Sequence, residues 1–324
     1  MGSVEKLVID TDCGVDDAMA IMLALSSNKR CDVIGITCTF GNTPLDNACN
    51  NVKRVLTICN RKEIPVYRGS SRPLVKEYLK RDTAYHSFDG LGTVAQEFST
   101  GDIPESEVPA AVALIELSKK HQGEITLIPL GPLTNIALAH RIDPDFTRRL
   151  KSIMCMGGNY KGIGNHTETA EFNFFCDPYS ADIVMGEALC PVKLVPWETC
   201  LEHGIPFGTY ENLTEVPTVK GHFYKRISCK MIERAQARGR DFCTDCDLLA
   251  VVAALYPECI KQTVTSSLAV ETGGTYTEGL VIRLLPHKSP IANERNPVQI
   301  VTEFHMDFLN KLRFAMLQEE QINM

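Results

Sequence analysis

The chain has 324 residues, 44% of them hydrophobic and 23% charged, which is ordinary usage for a globular protein large enough to bury its own core. A net charge of −7 and no basic stripe argue against nucleic acid as a partner, and no apolar run reaches the ~18 residues of a membrane span. Thirteen cysteines, an odd number scattered through apolar segments, read as reduced, buried thiols of a cytoplasmic protein.

The opening Met-Gly-Ser-Val-Glu-Lys has no apolar stretch of a secretory signal. Gly2 lacks the Ser or Thr at position 6 that myristoylation wants, since Lys6 stands there. Lys6 to Asp10 reads as a strand and Asp17 to Leu25 as a helix with acids in its first turn. A strand over Val33 to Phe40, a helix over Leu45 to Ile58 and a short strand at Pro65 to Tyr67 follow. Next come a helix from Val108 to Lys120, a strand from Ile125 to Pro129 and a helix from Leu133 to His140. Ile153 to Met156 is a strand, Tyr179 to Ala188 a helix and Val192 to Val195 a strand.

Beyond residue 200 the pattern is more helical, with helices at His222 to Arg238 and Asp247 to Tyr256. The basic stretch Lys225 to Arg240, interleaved with Met231, Ile232 and Ala235, reads as a solvated helix face. Later strands fall at Ser267 to Glu271, Leu280 to Leu284 and Gln299 to Val301, and a last helix runs from about Phe304 to Gln318. The alternation of strands and helices predicts an α/β fold. Its central sheet is open and mostly parallel, with helices on both faces, because the strands lack apolar/polar alternation. No repeat or linker divides it, so one domain over 1–324 is expected.

Four polar or Gly-rich turns follow strands directly: Asp10 to Asp17, Gly41-Asn42, Leu130-Gly131-Pro132 and Gly157-Gly158-Asn159. Ligands of open parallel sheets bind beyond the carboxyl ends of the strands, so these turns should meet at one edge. The first turn packs Asp10, Asp12, Asp16 and Asp17 into eight residues. Such acids repel one another unless a cation or shared protons offset them, and hard oxygen donors favour Ca²⁺ or Mg²⁺. An Asp-rich helix cap is the plain alternative. An EF-hand does not fit, because its twelfth loop position needs Glu and is Ile21. A phosphatase using the first Asp of an Asp-x-Asp turn is a further rival, and would need a hydroxyl and a lysine from later loops.

Asp247 opens a helix and reads either as its cap or as a metal ligand. Cys243-Thr244-Asp245-Cys246 has no second cysteine pair for zinc. In Glu171-Phe172-Asn173-Phe174-Phe175-Cys176-Asp177-Pro178, Glu171 and Asn173 alternate with aromatics, which places them on one side of an extended segment and in need of partners such as sugar hydroxyls. Asp177 and Pro178 read as a helix start.

Together these residues resemble the nucleoside hydrolase family of the inosine–uridine-preferring type. Its Asp-x-Asp-x-Gly-x-Asp-Asp-Ala motif stands as Asp10-Thr11-Asp12-Cys13-Gly14-Val15-Asp16-Asp17-Ala18. Gly41-Asn42, His86 before Asp89-Gly90-Leu91-Gly92, Gly131-Pro132-Leu133-Thr134-Asn135, Met156-Gly157-Gly158, Asn165, Glu171-Phe172-Asn173, Asp177-Pro178 and Asp247 complete the series. The resemblance implies Ca²⁺ bound by Asp12, Asp17, Asp247 and the Leu130 carbonyl, with Asp12 as the base on the attacking water. It implies Asp16, Asn42, Asn165, Glu171 and Asn173 on the ribose hydroxyls, with Asp247 bordering the substrate. Many members carry a His before the last metal Asp; Cys246 stands there, which leaves His86 as the candidate acid at the leaving base. The implied activity is hydrolysis of the N-glycosidic bond of purine and/or pyrimidine ribonucleosides by a homodimer or homotetramer. A non-catalytic, Ca²⁺-dependent nucleoside or ribose binder is the alternative.

Overall fold

The computed structural model describes residues 4–76 and 85–322. Gly2, considered above for myristoylation, lies outside them. In chain order the first half contains β1 (Glu5–Thr11), α1 (Val15–Ser26), β2 (Cys31–Cys38), α2 (Leu45–Ile58), β3 (Val66–Arg68), β4 (Glu105–Ser106), α3 (Ala110–Lys120), β5 (Ile125–Pro129), α4 (Thr134–Ile142) and β6 (Ser152–Met156). Then come α5 (Phe172–Cys176), α6 (Pro178–Glu187), β7 (Val192–Val195), α7 (Trp197–Glu202), β8 (Ile205–Pro206), α8 (Phe207–Thr214), α9 (Val219–Ala237) and β9 (Phe242–Cys243). The chain closes with α10 (Cys246–Leu255), β10 (Ile260–Val270), β11 (Val281–Leu284), β12 (Val298–Phe304) and α11 (Met306–Ala315).

One sheet runs in the order β11-β10-β12-β7-β6-β5-β1-β2-β3-β4. Its strands are parallel from β12 to β4, and β10 pairs antiparallel with both β11 and β12. β8 and β9 form a separate antiparallel pair. Successive residues of a strand point to opposite faces, and β1 shows both faces covered. Leu7 and Ile9 join one apolar cluster with residues of α1, α2, α9, α10 and α11, while Val8 joins another with residues of α3, α4 and α6. The open, mostly parallel sheet with helices on both faces is thus the observed fold.

Every residue of α1 is buried, including Asp16 and Asp17. A helix apolar all round belongs in an interior, and α1 packs against α10, which is nearly as buried. These two helices bring the acid loop and Asp247 together. The segment from Glu171 corrects the extended reading. It is one helical turn, α5, with Glu171 as its N-cap, and it ends where Asp177 caps α6 at Pro178. Alternation of polar and aromatic residues over three positions cannot distinguish a strand from a capped turn. Helices α7 and α8 were not foreseen, and the last helix starts at Met306 because Phe304 still belongs to β12. Among the described residues no helix is long and apolar enough to cross a membrane. All thirteen cysteines are free thiols.

Candidate active site

β1 lies between β2 and β5, so the sheet grows in opposite directions from its carboxyl end. Such a switch point leaves a crevice between diverging loops. The acid loop leaves β1 there, and the loops after β2, β5 and β6 converge on it. Asn42, after β2, donates its backbone N–H to Asp12 Oδ2 at 2.5 Å. Its side-chain Nδ2 reaches both Asp12 Oδ1 at 3.1 Å and Asp17 Oδ2 at 3.0 Å. Gly41 has φ +155°, and a Cβ there would collide with the Asp12 carboxylate. After β5, Asn173 Nδ2 donates to the Leu130 carbonyl at 2.8 Å. After β6, the Gly158 N–H donates to Glu171 Oε2 at 2.7 Å.

Within the first loop, Asp17 reaches back to the Gly14 N–H at 2.8 Å, a helix-capping contact, and accepts the Thr11 hydroxyl. Carboxylate oxygens of Asp16, Asp17 and Asp247 all lie within 4.8 Å of one another. Asp16, expected only on the sugar, therefore shares the oxygen cluster with Asp17 and Asp247, two of the three expected carboxylate ligands, while Asp12 is not part of that group. Burial, then repulsion from Asp17, pushes Asp16 up to about 8. Burial followed by the neighbouring carboxylates likewise raises Asp12 and Asp247 well above the usual carboxylate range. Asp16 Oδ1 is buried without a hydrogen-bond partner. Asp10, behind the loop, accepts Thr37 Oγ1 at 2.5 Å and Asn135 Nδ2 at 2.8 Å, and burial lifts it to about 7.

His86 sits over the start of α1. Its Nδ1 accepts the Val15 N–H at 3.0 Å, which puts the ring proton on Nε2, 3.8 Å from Asp16 Oδ1. Burial, with Arg234 nearby, pushes its pKa down to about 3, so the ring is neutral at physiological pH. A Cβ on Gly14 would lie 2.6 Å from His86 Nδ1, so only glycine admits the imidazole. Glu171 accepts three backbone N–H groups, from Gly158, Asn173 and Phe174, yet burial still raises it to about 7. Asn165 is exposed, and its side-chain oxygen accepts the Phe172 N–H at 2.8 Å.

Asp16, Asp247, Asn42, Glu171 and Asn173 line one cavity at this edge. The family model for inosine-uridine preferring nucleoside hydrolases matches residues 7–311. The chain belongs to that family. It is therefore a hydrolase of N-glycosidic bonds, and the acid cluster is the candidate for its active site. A probable uridine nucleosidase of Arabidopsis thaliana is 40% identical over 72% of this chain and 70% of its own length. A pyrimidine-specific ribonucleoside hydrolase of Shewanella woodyi is 40% identical over 55% of each chain, so the match spans just over half of that relative. A plant nucleoside hydrolase structure superimposes with a TM-score of 0.90 at 29% identity, covering 97% of this chain and 98% of that one. A purine-preferring ribonucleoside hydrolase from Gardnerella vaginalis does so at 0.87 and 25% identity, over 97% and 98%.

The cavity also presents groups that were not foreseen from the sequence. Trp197, Tyr85, Thr244, Arg238 and Arg240 line the cavity. Trp197 follows β7 and so marks another strand-end loop, a signal that was present in the sequence. The basic stretch is a solvated helix face only in part: Arg234 binds the Tyr85 carbonyl and Ser87, and Arg238 and Arg240 turn toward the cavity. Glu198, buried, accepts the N–H groups of Tyr160, Lys161 and Ile163 and so holds the loop after β6. Asp247 is not the cap of α10; Asp245 holds that position. Cys246 Sγ is hydrogen-bonded to Cys200, which together with burial raises its pKa.

Proposed function

We propose that the chain is a Ca²⁺-dependent ribonucleoside N-ribohydrolase acting on purine and/or pyrimidine ribonucleosides. Uridine is the first substrate to test, given the names of its relatives. The observation that carries this reading is the cluster of buried carboxylates in mutual repulsion at the switch point, with Asp16 Oδ1 unpartnered. All donors are oxygens, which fits a hard divalent cation held by Asp12, Asp17, Asp247 and the Leu130 carbonyl. Such an ion, when bound, offsets the acids and lowers the pKa of water.

Asp12, oriented through both oxygens by Asn42, takes the proton of the attacking water. Asp16, Glu171, Asn173, Asn42 and Asn165 hold the sugar, and Asp247 borders it. Three of the roughly four acceptor sites of the Glu171 carboxylate are used by backbone donors, which aims the remaining one. Bond cleavage makes the ribose oxocarbenium-like, and the surrounding carboxylates stabilise that positive charge. His86 contributes its Nε2–H beside Asp16 rather than a mobile proton. We further propose one domain, a cytoplasmic site of action and a homodimer or homotetramer, the last testable by light scattering.

The experiment incubates the protein with uridine, inosine and p-nitrophenyl phosphate, before and after chelation and with Ca²⁺ restored. Free base should appear from the nucleosides only, stop with chelator and return with Ca²⁺. Binding of nucleoside without turnover would favour the non-catalytic alternative. Phosphate release would point to the phosphatase reading.

A further inference from the structure

Bond cleavage needs somewhere for the leaving base to place its electron pair, and the proton donors near the acids are poor. The Nε2–H of His86 faces Asp16 Oδ1, 3.8 Å away, and the Cys246 thiol is hydrogen-bonded to Cys200. Across the same cavity the chain turns out of α9 and delivers Arg240. Its backbone N–H is anchored on the Ala235 carbonyl at 3.0 Å. Its guanidinium carbon lies 5.7 Å from the Trp197 ring centre and 5.8 Å from that of Phe242. Two aromatic faces hold the cation in place without consuming its N–H donors. Among the described residues neither Arg240 nor Arg238 has an ion-pair partner, whereas Arg226, Arg295 and Arg313 are each paired with a carboxylate. Arg240 lines the cavity together with Trp197, Thr244 and Cys246.

We propose that Arg240, stacked on Trp197, is the group that stabilises the leaving base, by donating to a ring carbonyl oxygen as the base departs with negative charge. This inference rests on the hydrolase reading above. The C1′–N bond breaks and its electron pair passes to the base nitrogen, delocalised onto the carbonyl oxygen that Arg240 holds. Water bonds to C1′ and gives its proton to Asp12. The departing anion takes a proton from solvent, and Asp12 releases its own. A fixed cation replaces a general acid, so the enzyme favours bases that carry a ring carbonyl, such as uracil and hypoxanthine, over adenine, which has none. Arg238, exposed at the same rim, adds to the positive field.

The test compares wild type, Arg240→Gln and Arg240→Lys on uridine, inosine, adenosine, uridine 5′-monophosphate and p-nitrophenyl riboside, whose leaving group needs no help. For Arg240→Gln, kcat/KM on uridine and inosine should fall about 10²-fold, the usual cost of removing one such donor. The loss on p-nitrophenyl riboside should be at least about tenfold smaller, with Arg240→Lys in between. Wild type should prefer inosine to adenosine. An equal loss on p-nitrophenyl riboside would make Arg240 structural, and no loss on uridine would remove the role. A loss confined to uridine 5′-monophosphate would make Arg240 a phosphate anchor; any of these three outcomes overturns the proposal. Wild type inert on every riboside would overturn the hydrolase reading itself, and this inference with it.

Discussion

Asp245 and Asp247 stand two residues apart at the start of α10, and both are buried. Asp245 accepts Arg313 Nε at 2.8 Å and Nη2 at 2.7 Å, a two-pronged pair in which Arg313 is wholly buried. The other guanidinium hydrogens reach the His203 carbonyl at 2.7 Å and Asn310 Oδ1 at 2.9 Å. Asp247 faces Asp16, Asp17 and Asp12 instead, charges of its own sign. Burying an acid is costly unless a counter-charge and hydrogen bonds offset it. Where the protein supplies them, the acid is architecture. Where it supplies more acids, shared protons, a bound cation or a sugar turning cationic would supply the missing positive charge.

The strongest way to break this contrast is to remove a hydroxyl from the substrate. A 2′-deoxynucleoside leaves buried polar atoms of the Asp16 set unpaired, so uridine should exceed 2′-deoxyuridine by ~10⁴ in kcat/KM. Equal rates would show that the unpartnered acids do not read the sugar. Next is Asp12→Asn, which keeps shape and one oxygen but cannot accept the water's proton. Turnover of uridine at saturating Ca²⁺ should drop ~10²–10⁴-fold with folding intact by circular dichroism. Retained turnover would move the base to Asp16.

On the paired side, Arg313→Met leaves Asp245 buried and alone, and denaturant unfolding should show a loss of ~3–5 kcal/mol. Adding Asp245→Leu should recover much of it, since no uncompensated charge then remains; a double variant as unstable as the single would deny that Arg313 acts through Asp245. The smallest effect tests Glu171, whose native pKa of about 7 exceeds its ordinary value. A raised native pKa means that the folded state holds more protons between about 4.5 and 7, so wild-type stability falls as pH rises through that window. Glu171→Gln cannot titrate and should lack that fall, a difference of ~1–3 kcal/mol across the window in chemical melts. Parallel curves would mean that the three backbone donors hold Glu171 ionised throughout.

Much of the candidate site was legible because its signals are local. Asp10 to Asp17 crowds its charges within one turn, and Asp177-Pro178 announces a helix start that the structure shows, with Asp177 accepting the Ser180 N–H at 3.1 Å. Glu171 stood out as an acid among aromatics in need of partners, but those it has in the fold did not. They are backbone N–H groups of its own turn and of Gly158, exposed only once α5 forms. Arg313 and Asp245 lie 68 positions apart, and nothing in the residues around either announces the other. Arg240 looked like one more solvated cation because charge on a helix face carries no direction.

From the order of its residues alone, this chain determined its strand and helix alternation, its parallel sheet and the acid turn after the first strand, since each depends on neighbours within a few positions. Tertiary structure decided which acids share an oxygen cluster, which is neutralised by Arg313, and that Arg240 faces the cavity over Trp197. Those outcomes depend on how α1, α9 and α10 pack around the carboxyl ends of the strands, where groups far apart in sequence meet in a buried, low-dielectric space in which each charge must find a partner.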